Sequence, residues 1–280
     1  VVNHQTSTRA LAARWLRRGV LALLIVALTA AVPAIVFHPS NERDWITGQG
    51  RMPHAAFNGD SVLVRNVRNF SYLADGTAIE RYEDRRYDLN AIESVWFIIA
   101  PFDADRRGAA HSFLSFGFAD SSFVAISVEA RREADEEYSL VKGMMRQFEI
   151  IYVIGDERDL IGMRANIRND EVYVYPIRTS PAKVRTLFVQ MLERANRLQQ
   201  DPEFYNTVFN NCTTNILDHA NEVATTKIPF SREVLLPGYA DELALRLGLI
   251  DSNDPIDVVR QRYLVNERAR QFADSSDFSI

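Results

Sequence analysis

Hydrophobic and polar positions along the chain fall into four patterns. Gly19 to Phe37 (GVLALLIVALTAAVPAIVF) holds no charged residue over 19 positions. As a helix this run is about 28 Å long, close to the ~30 Å hydrocarbon core of a bilayer. Residues 38–60 (HPSNERDWITGQGRMPHAAFNGD) are polar and show no sustained period. Between 61 and 177 the apolar residues come in short runs bounded by turn residues, as strands do. After Ser180-Pro181 they recur every three to four positions, as on helices.

The short runs predict a sheet. Val62-Leu63-Val64 opens a strand, and Ser94–Ala100 (SVWFIIA) is a continuous apolar run ended by Pro101. His111–Phe118 and Phe123–Ala130 flank Ala119-Asp120-Ser121-Ser122, a hairpin connection, and Phe148–Ile154 is a further buried strand. Gly162–Arg168 and Glu171–Ile177 read as a hairpin around Asn169-Asp170. Helices follow. Val184, Leu187, Phe188, Met191, Leu192, Ala195 and Leu198 form one face behind the Ser180-Pro181 cap. A second helix starts at Asn210-Asn211-Cys212 and runs to Val223, and a third covers Tyr239–Leu247 and stops at Gly248. Residues 257–273 are arginine-rich, a peripheral or frayed helix. The fold class is α+β: a mostly antiparallel sheet with helices packed on it.

Charge adds topology. Residues 1–38 hold Arg9, Arg14, Arg17 and Arg18 and no acid. Basic flanks stay cytoplasmic, so residues 1–18 read as a cytoplasmic segment and 19–37 as one N-terminal transmembrane helix. The apolar run continues past Ala34 and is longer than a signal-peptide core, which favours an anchor that stays in the chain. Residues 38–60 then read as a tether of at most about 75–80 Å, 61–250 as one domain outside a bacterial inner membrane, and 251–280 as a helical tail. Beyond residue 38 there are 28 bases against 37 acids, a net of −9. Such an acidic body argues against sequence-independent nucleic-acid binding, which depends on phosphate neutralisation. No HExxH, ligand-spaced histidine pair or glycine-rich phosphate loop is present, so no metal site and no cofactor is predicted.

Candidate chemistry centres on Cys212, the one cysteine of the chain. It cannot form an internal disulfide, and an exported protein that keeps an odd thiol needs a reason for it. Asn210 and Asn211 precede it as cap candidates, which places it in the first turn of a helix. There the helix dipole favours a thiolate, and backbone N–H groups are at hand for an oxyanion. A buried free cysteine that is simply a small hydrophobe is the plain alternative.

A nucleophilic cysteine needs a base. His219 lies seven residues on, about 10.5 Å along the axis, too far for a hydrogen bond of roughly 3 Å. It reads as a surface or satisfied residue. His111, at the start of a predicted strand, is the candidate base; a hydrogen-bonded histidine at a sheet edge is the other reading. Glu129 is the candidate to orient the imidazole, with Ser127 on the same strand face second. Glu129 could equally pair with Arg131 or Arg132. The charge-rich ERDLIGMR (157–164) reads as a salt-bridged strand edge, or as arginines that hold an anionic headgroup.

The strings HSFLSFGF, ISVEARRE, GMMRQFEIIYVIGDERDLIGMR, VYVYPI and FNNCTTNIL resemble a bacterial family known from the N-terminal periplasmic domain of the lipoprotein N-acylation transferase Lnb. The resemblance spans about residues 40–225. It implies a permuted papain-like fold in which the histidine strand precedes the cysteine helix. It also implies acyl transfer by a Cys–His pair, with Cys212 as acyl carrier and His111 as general base and acid. Arg131, Arg158 and Arg164 lie in the matching stretches and, with Asn211, are candidates to hold substrate. Lnb continues into several membrane helices, whereas here the one apolar run is at the front.

Three functions follow. The first is a membrane-anchored periplasmic thiol acyltransferase acting on lipid or lipoprotein acyl groups. The second is a cell-wall amidase or peptidase with the same dyad. The third is a non-catalytic envelope binding module.

Overall fold

Two strands are buried at every position: β7 (Ala110–Phe118) and β9 (Glu149–Gly155). Continuous apolar runs suit strands covered on both faces, and both faces are covered. A computed structural model describes residues 14–21, 38–73, 75–103, 107–273, 275 and 278–279. The chain divides into two units, Val1–Pro39 and Ser40–Ile280. In the first, residues 14–21 are helical. Among the described residues no helix is long and apolar enough to cross a membrane. The expected transmembrane helix over 19–37 lies, from residue 22 on, outside the described residues.

The second unit is built on an eight-stranded sheet, mostly antiparallel, as expected. Its remaining strands are β1 (His54–Asn58), β2 (Ser61–Arg68), β5 (Tyr82–Asp88), β6 (Ile92–Pro101), β8 (Phe123–Arg131) and β10 (Tyr173–Pro176). The order is β1-β2-β9-β8-β7-β6-β10, and β5 pairs with β2 off this path. One parallel contact, Arg68 with Gly155, joins β2 to β9. A small hairpin of β3 (Ser71–Tyr72) and β4 (Ala78–Ile79) stands apart.

Alternation along the strands separates two cores. Val124, Ile126 and Val128 of β8 and Ile150, Tyr152 and Ile154 of β9 face one side. There they meet α3 (Pro181–Gln200), whose buried residues are the seven that the helical spacing picked out. The same side carries α4 (Cys212–Val223), α6 (Ala240–Arg246) and α7 (Ile256–Tyr263). Phe113, Ala125, Ile151 and Val153 face the other side, against Leu160, Ile161, Ala165 and Ala269. These last come from α2 (Glu157–Gly162), the π-helical turn Met163–Ile167 that extends it, and α8 (Asn266–Gln271). Shorter helices complete the chain: α1 (Leu140–Met144), α5 (Arg232–Leu235) and the 3₁₀ turn Pro237–Tyr239. In that turn Gly238 is required, because a Cβ there would overlap the carbonyl of Arg107. Gly248, at φ +69°, follows α6 as a helix-ending glycine does.

Two expectations are corrected. Residues 40–60 are not a free tether. Asn41 Nδ2 donates to the carbonyls of Leu198 (2.9 Å) and Gln199 (3.1 Å), satisfying the last turn of α3. Trp45 bridges to Glu133, and His54–Asn58 joins the sheet beside β2. The segment's polar residues are those of a strap held by side-chain-to-backbone bonds, which has no period to detect.

Residues 157–167 are helical rather than a strand edge followed by the first arm of a hairpin. Asp156 caps α2 by accepting from Arg158 N at 3.0 Å. Glu157 and Asp159 sit in the first turn, where acids are favourable. Only Tyr173–Pro176 of the expected hairpin is extended. The arginine-rich tail takes the helical one of its two expected forms: it forms α7 and α8, which bury Val259 and Ala269. Arg260 of α7 reaches fully buried Asp241 at 2.9 and 3.0 Å.

Candidate functional site

The β7–β8 ladder runs from Gly117–Phe123 to Phe113–Ser127 and stops there. Beyond that point His111 and Ala110 pair with Ala100 and Pro101 of β6, while β8 continues along β9 to Arg131–Glu149. The two strands part, and a cavity of about 250 Å³ opens there. Its walls include His111, Glu129, Arg164, Tyr138, Tyr205 and Cys212.

Cys212 is the first residue of α4, as expected from the asparagines before it. Asn211 Oδ1 accepts from Thr214 N at 2.9 Å, and Thr214 Oγ1 accepts from Asn211 N at 2.8 Å, a reciprocal capping box. The Asn211 amide also donates to Thr207 O at 2.6 Å, tying the cap to the loop before it. Cys212 is 5% exposed. Its sulfur contacts Thr213 Oγ1 at 3.7 Å, and that hydroxyl meets Ser112 Oγ at 2.8 Å. No hydrogen bond joins the sulfur to His111 among the described residues, although both side chains line the cavity.

His111 Nε2 lies 2.7 Å from Ser127 Oγ, and Ser127 Oγ donates to Glu129 Oε1 at 2.9 Å. A serine hydroxyl has one hydrogen, so with it given to the carboxylate the oxygen accepts from His111 Nε2–H. That assigns the neutral tautomer whose free lone pair is on Nδ1. Burial pushes the imidazole pKa well below 6.5; Arg164 and Arg168 add to the shift and Glu129 opposes it. The ring is therefore neutral at pH 7.

Burial would raise the Glu129 carboxyl. The facing Arg68 and Arg164, with a hydrogen bond from Gln49 Nε2 at 3.0 Å, outweigh it and hold the group below the ordinary carboxylate range. With the imidazole neutral, the arginines and the hydrogen bonds are what keep the carboxylate ionised. Arg68 itself is locked to fully buried Asp159 by two bonds of 2.8 and 3.0 Å. Asp159 also accepts from Phe70 N (2.9 Å) and Tyr72 OH (2.8 Å), so this pair is fully committed.

Among the four residues expected to hold substrate, only Arg164 lines the cavity with Cys212, His111 and Glu129. Arg131 is turned away and spent. Its Nε, Nη1 and Nη2 donate to Gln49 O (2.9 Å), Asn41 Oδ1 (2.9 Å) and Gly50 O (3.3 Å), and its guanidinium stacks on Trp45. Arg158 lines a separate recess with Phe70 and Tyr72 and donates to Asn69 Oδ1 at 3.1 Å. Asn211 is consumed by capping. Local structural bonds thus claim the polar atoms of Arg131 and Asn211, and Arg158 stands at another recess.

Several wall residues were not picked out by the sequence. Arg168 follows Arg164 by four positions within the turn, a spacing visible only once that stretch is known to be helical. Tyr138, Tyr205 and Gln49 carry no motif. His219 is buried and satisfied, with Nε2 2.9 Å from Tyr152 OH. Its pKa falls to about 4 through burial, reinforced by Arg194 and Arg197. Among the described residues, no three His, Cys, Asp or Glu side chains converge as a metal site would need.

In the comparison with known families, the model described as the Lnb N-terminal periplasmic domain matches residues 78–261. No curated protein and no solved structure matches the chain. The matched stretch includes His111, Ser127, Glu129, Arg164 and Cys212, and begins after Gln49, β1 and β2.

Proposed function

Because the chain belongs to the Lnb N-terminal periplasmic domain family, we propose that it is a periplasmic thiol acyltransferase, anchored by residues 19–37, with Cys212 as nucleophile and His111 as its base. A permuted papain-like arrangement, histidine strand before cysteine helix, is part of this reading. The observation that carries it is the convergence on one cavity of a cysteine at a capped helix start and a neutral imidazole whose Nδ1 is left free by the Ser127–Glu129 relay.

In the first step the sulfur exchanges its contact with Thr213 for one with the imidazole, and its proton passes to Nδ1. The thiolate attacks the ester carbonyl of a lipid or lipoprotein. The S–C bond forms, the ester C–O bond breaks, and the departing alkoxide takes the proton back from His111. In the second step an amine attacks the thioester. The N–C bond forms, the S–C bond breaks, and the amine proton returns the pair to its resting state. Orphan N–H groups of the first turn of α4 serve the oxyanion in both steps.

A second cavity favours acyl over peptide chemistry. It is walled by apolar side chains, among them Leu114, Ile216, Val234, Leu243 and Leu249, together with Thr213, the neighbour of Cys212. Such a wall suits a hydrocarbon chain and offers a peptide backbone little to bind. The test is mass spectrometry of the full chain after incubation with diacylated lipoprotein and, separately, with purified murein. A thioester on Cys212 from the lipoprotein, absent in Cys212→Ala, is expected. Release of murein peptides without an acyl-enzyme would replace this reading with the amidase one.

A further inference from the structure

The π-helical turn at the end of α2 has a chemical consequence for the cavity. In it Arg168 N bonds to Met163 O at 3.0 Å, five residues back, and Asp170 N to Arg164 O at 3.0 Å. Turns of this kind appear frequently at functional sites, and this one presents Met163, Arg164 and Arg168 to the cavity of Cys212. Arg164 is 5% exposed, and its Nη1 makes no hydrogen bond among the described residues. The nearest carboxylates stand off, Asp170 at 3.8 Å from Nη1 and Glu129 at 3.9 Å from Nη2. A buried guanidinium N–H without an acceptor is costly, more so than a neutral donor.

The balance of the walls has the same sense. Arg132, Arg164 and Arg168 line the cavity against one acid, Glu129. That acid is already occupied, Oε1 by Ser127 and Oε2 by Gln49. His111 contributes no charge at neutral pH. The cavity is thus a concave site with excess positive charge, and one of the guanidiniums that line it keeps an unfilled donor.

We propose that Arg164, with Arg168 beside it, forms a subsite for an anionic oxygen group, a phosphate or a carboxylate, carried by the molecule that Cys212 attacks. The proposal rests on Cys212 being the nucleophile, and it names the substrate class: a lipid or lipidated peptide with a phosphate or carboxylate near its reactive carbonyl. A guanidinium suits such a group because its donors pair with two oxygens at once.

Two alkylating agents that differ in one group provide the test. Iodoacetate carries a carboxylate where iodoacetamide carries a neutral amide, and each alkylates the thiolate with loss of iodide. The ratio of their second-order rate constants at Cys212 of the full chain, divided by the same ratio for N-acetylcysteine, reads the subsite alone. One charge-assisted hydrogen bond predicts enrichment of about tenfold for iodoacetate. Arg164→Gln should bring the ratio to that of N-acetylcysteine, and Arg164→Lys should restore part of it. Arg158→Gln, in the other recess, should leave it unchanged.

Should Arg164→Gln not fold, Arg168→Gln at the exposed end of the turn and phosphate protection of the parent decide. The first should lower the ratio, and inorganic phosphate should slow labelling by iodoacetamide. Protection by phosphatidylglycerol micelles at lower phosphate concentration than the free ion assigns the group to a lipid headgroup; equal protection assigns it to a free anion. A parent ratio equal to that of N-acetylcysteine, or one unmoved in a folded Arg164→Gln, overturns the subsite. Alkylation needs no acyl transfer. An enriched ratio without any acyl-enzyme would therefore leave the subsite standing and remove only the transferase reading.

Discussion

Ser127→Ala removes the atom through which His111 is held. The side chain is 1% exposed, and its oxygen lies 2.7 Å from His111 Nε2 and 2.9 Å from Glu129 Oε1. Glu129 keeps its bond from Gln49, so the group left orphaned is the imidazole N–H. Leaving one buried donor unsatisfied costs about 1–3 kcal/mol of stability. The kinetic effect comes from the ring itself. Without the relay neither its orientation nor its tautomer is specified, and the species with a free Nδ1 becomes one of several. A fall of about 10- to 100-fold in acylation is expected, equivalent to about 1.4–2.7 kcal/mol. The assay is the burst of 4-nitrophenolate when the full chain meets 4-nitrophenyl acetate, with the Cys212 thioester confirmed by mass. Glu129→Gln should produce a smaller fall, because an amide oxygen still accepts from Ser127. If a folded Ser127→Ala acylates at the parent rate while Cys212→Ser gives no burst, the relay has no part in the chemistry.

Three further outcomes test the electrostatics and the strap. The His219 imidazole has a folded pKa of about 4 against an ordinary 6.5, so the unfolded chain takes up the proton first. Its contribution is complete above pH 6.5 and is lost as pH falls toward 4, by about 3 kcal/mol in all; urea unfolding at pH 7 and 4.5 should show that loss in the parent and not in His219→Gln. Glu157 behaves oppositely, since burial raises its carboxyl to about 7. Its contribution is complete below the unfolded value near 4.5 and is lost as pH rises through 7, so Glu157→Gln should gain up to about 3 kcal/mol over the parent by pH 8.5. Arg131→Met abandons three acceptors of the 41–50 strap, among them the carbonyls of Gln49 and Gly50. It should cost about 2–4 kcal/mol and open that strap to limited proteolysis, whereas unchanged cleavage and melting would show that Arg131 does not hold it.

How much of the fold the sequence discloses depends on whether a segment is held by burial or by polar bonds. Where burial decides, periodicity is sufficient. The apolar face of α3 was legible residue by residue, and so were the strands around Ile98, Phe113, Ile126 and Ile151, because each must hide an apolar surface. Where polar side chains decide, composition misleads. Residues 40–60 resemble a linker because Asn41, Gln49 and His54 act as hydrogen-bonding groups, with Gln49 bound to Glu129 and His54 Nδ1 3.0 Å from Gln199 Oε1. Residues 157–167 carry β-compatible Ile161 and Ile167. Their helicity comes from the Asp156 cap and from Asp159, which answers a distant Arg68. No local pattern contains that partner.

The same distinction explains the site. Cys212 was legible because a helix start is a local event: two asparagines, a thiol and two threonines specify the cap within five residues. His111 and Glu129 were legible as members of strands, which fixes what they neighbour but not what they face. Arginine identity was the least legible, since four residues with the same charge have four environments. Arg131 is spent on carbonyls and Trp45, Arg68 on Asp159, and Arg158 on Asn69. Arg164 alone of these lies in the cavity of Cys212, with a donor unused. A charge that is fully paired in a fold is worth little to a ligand, because binding must first break the pair. An unfilled donor has no such cost. What sets Arg164 apart is thus the hydrogen-bond acceptor its Nη1 lacks, a property that exists only once the π-helical turn has formed and brought it to the wall of the cavity.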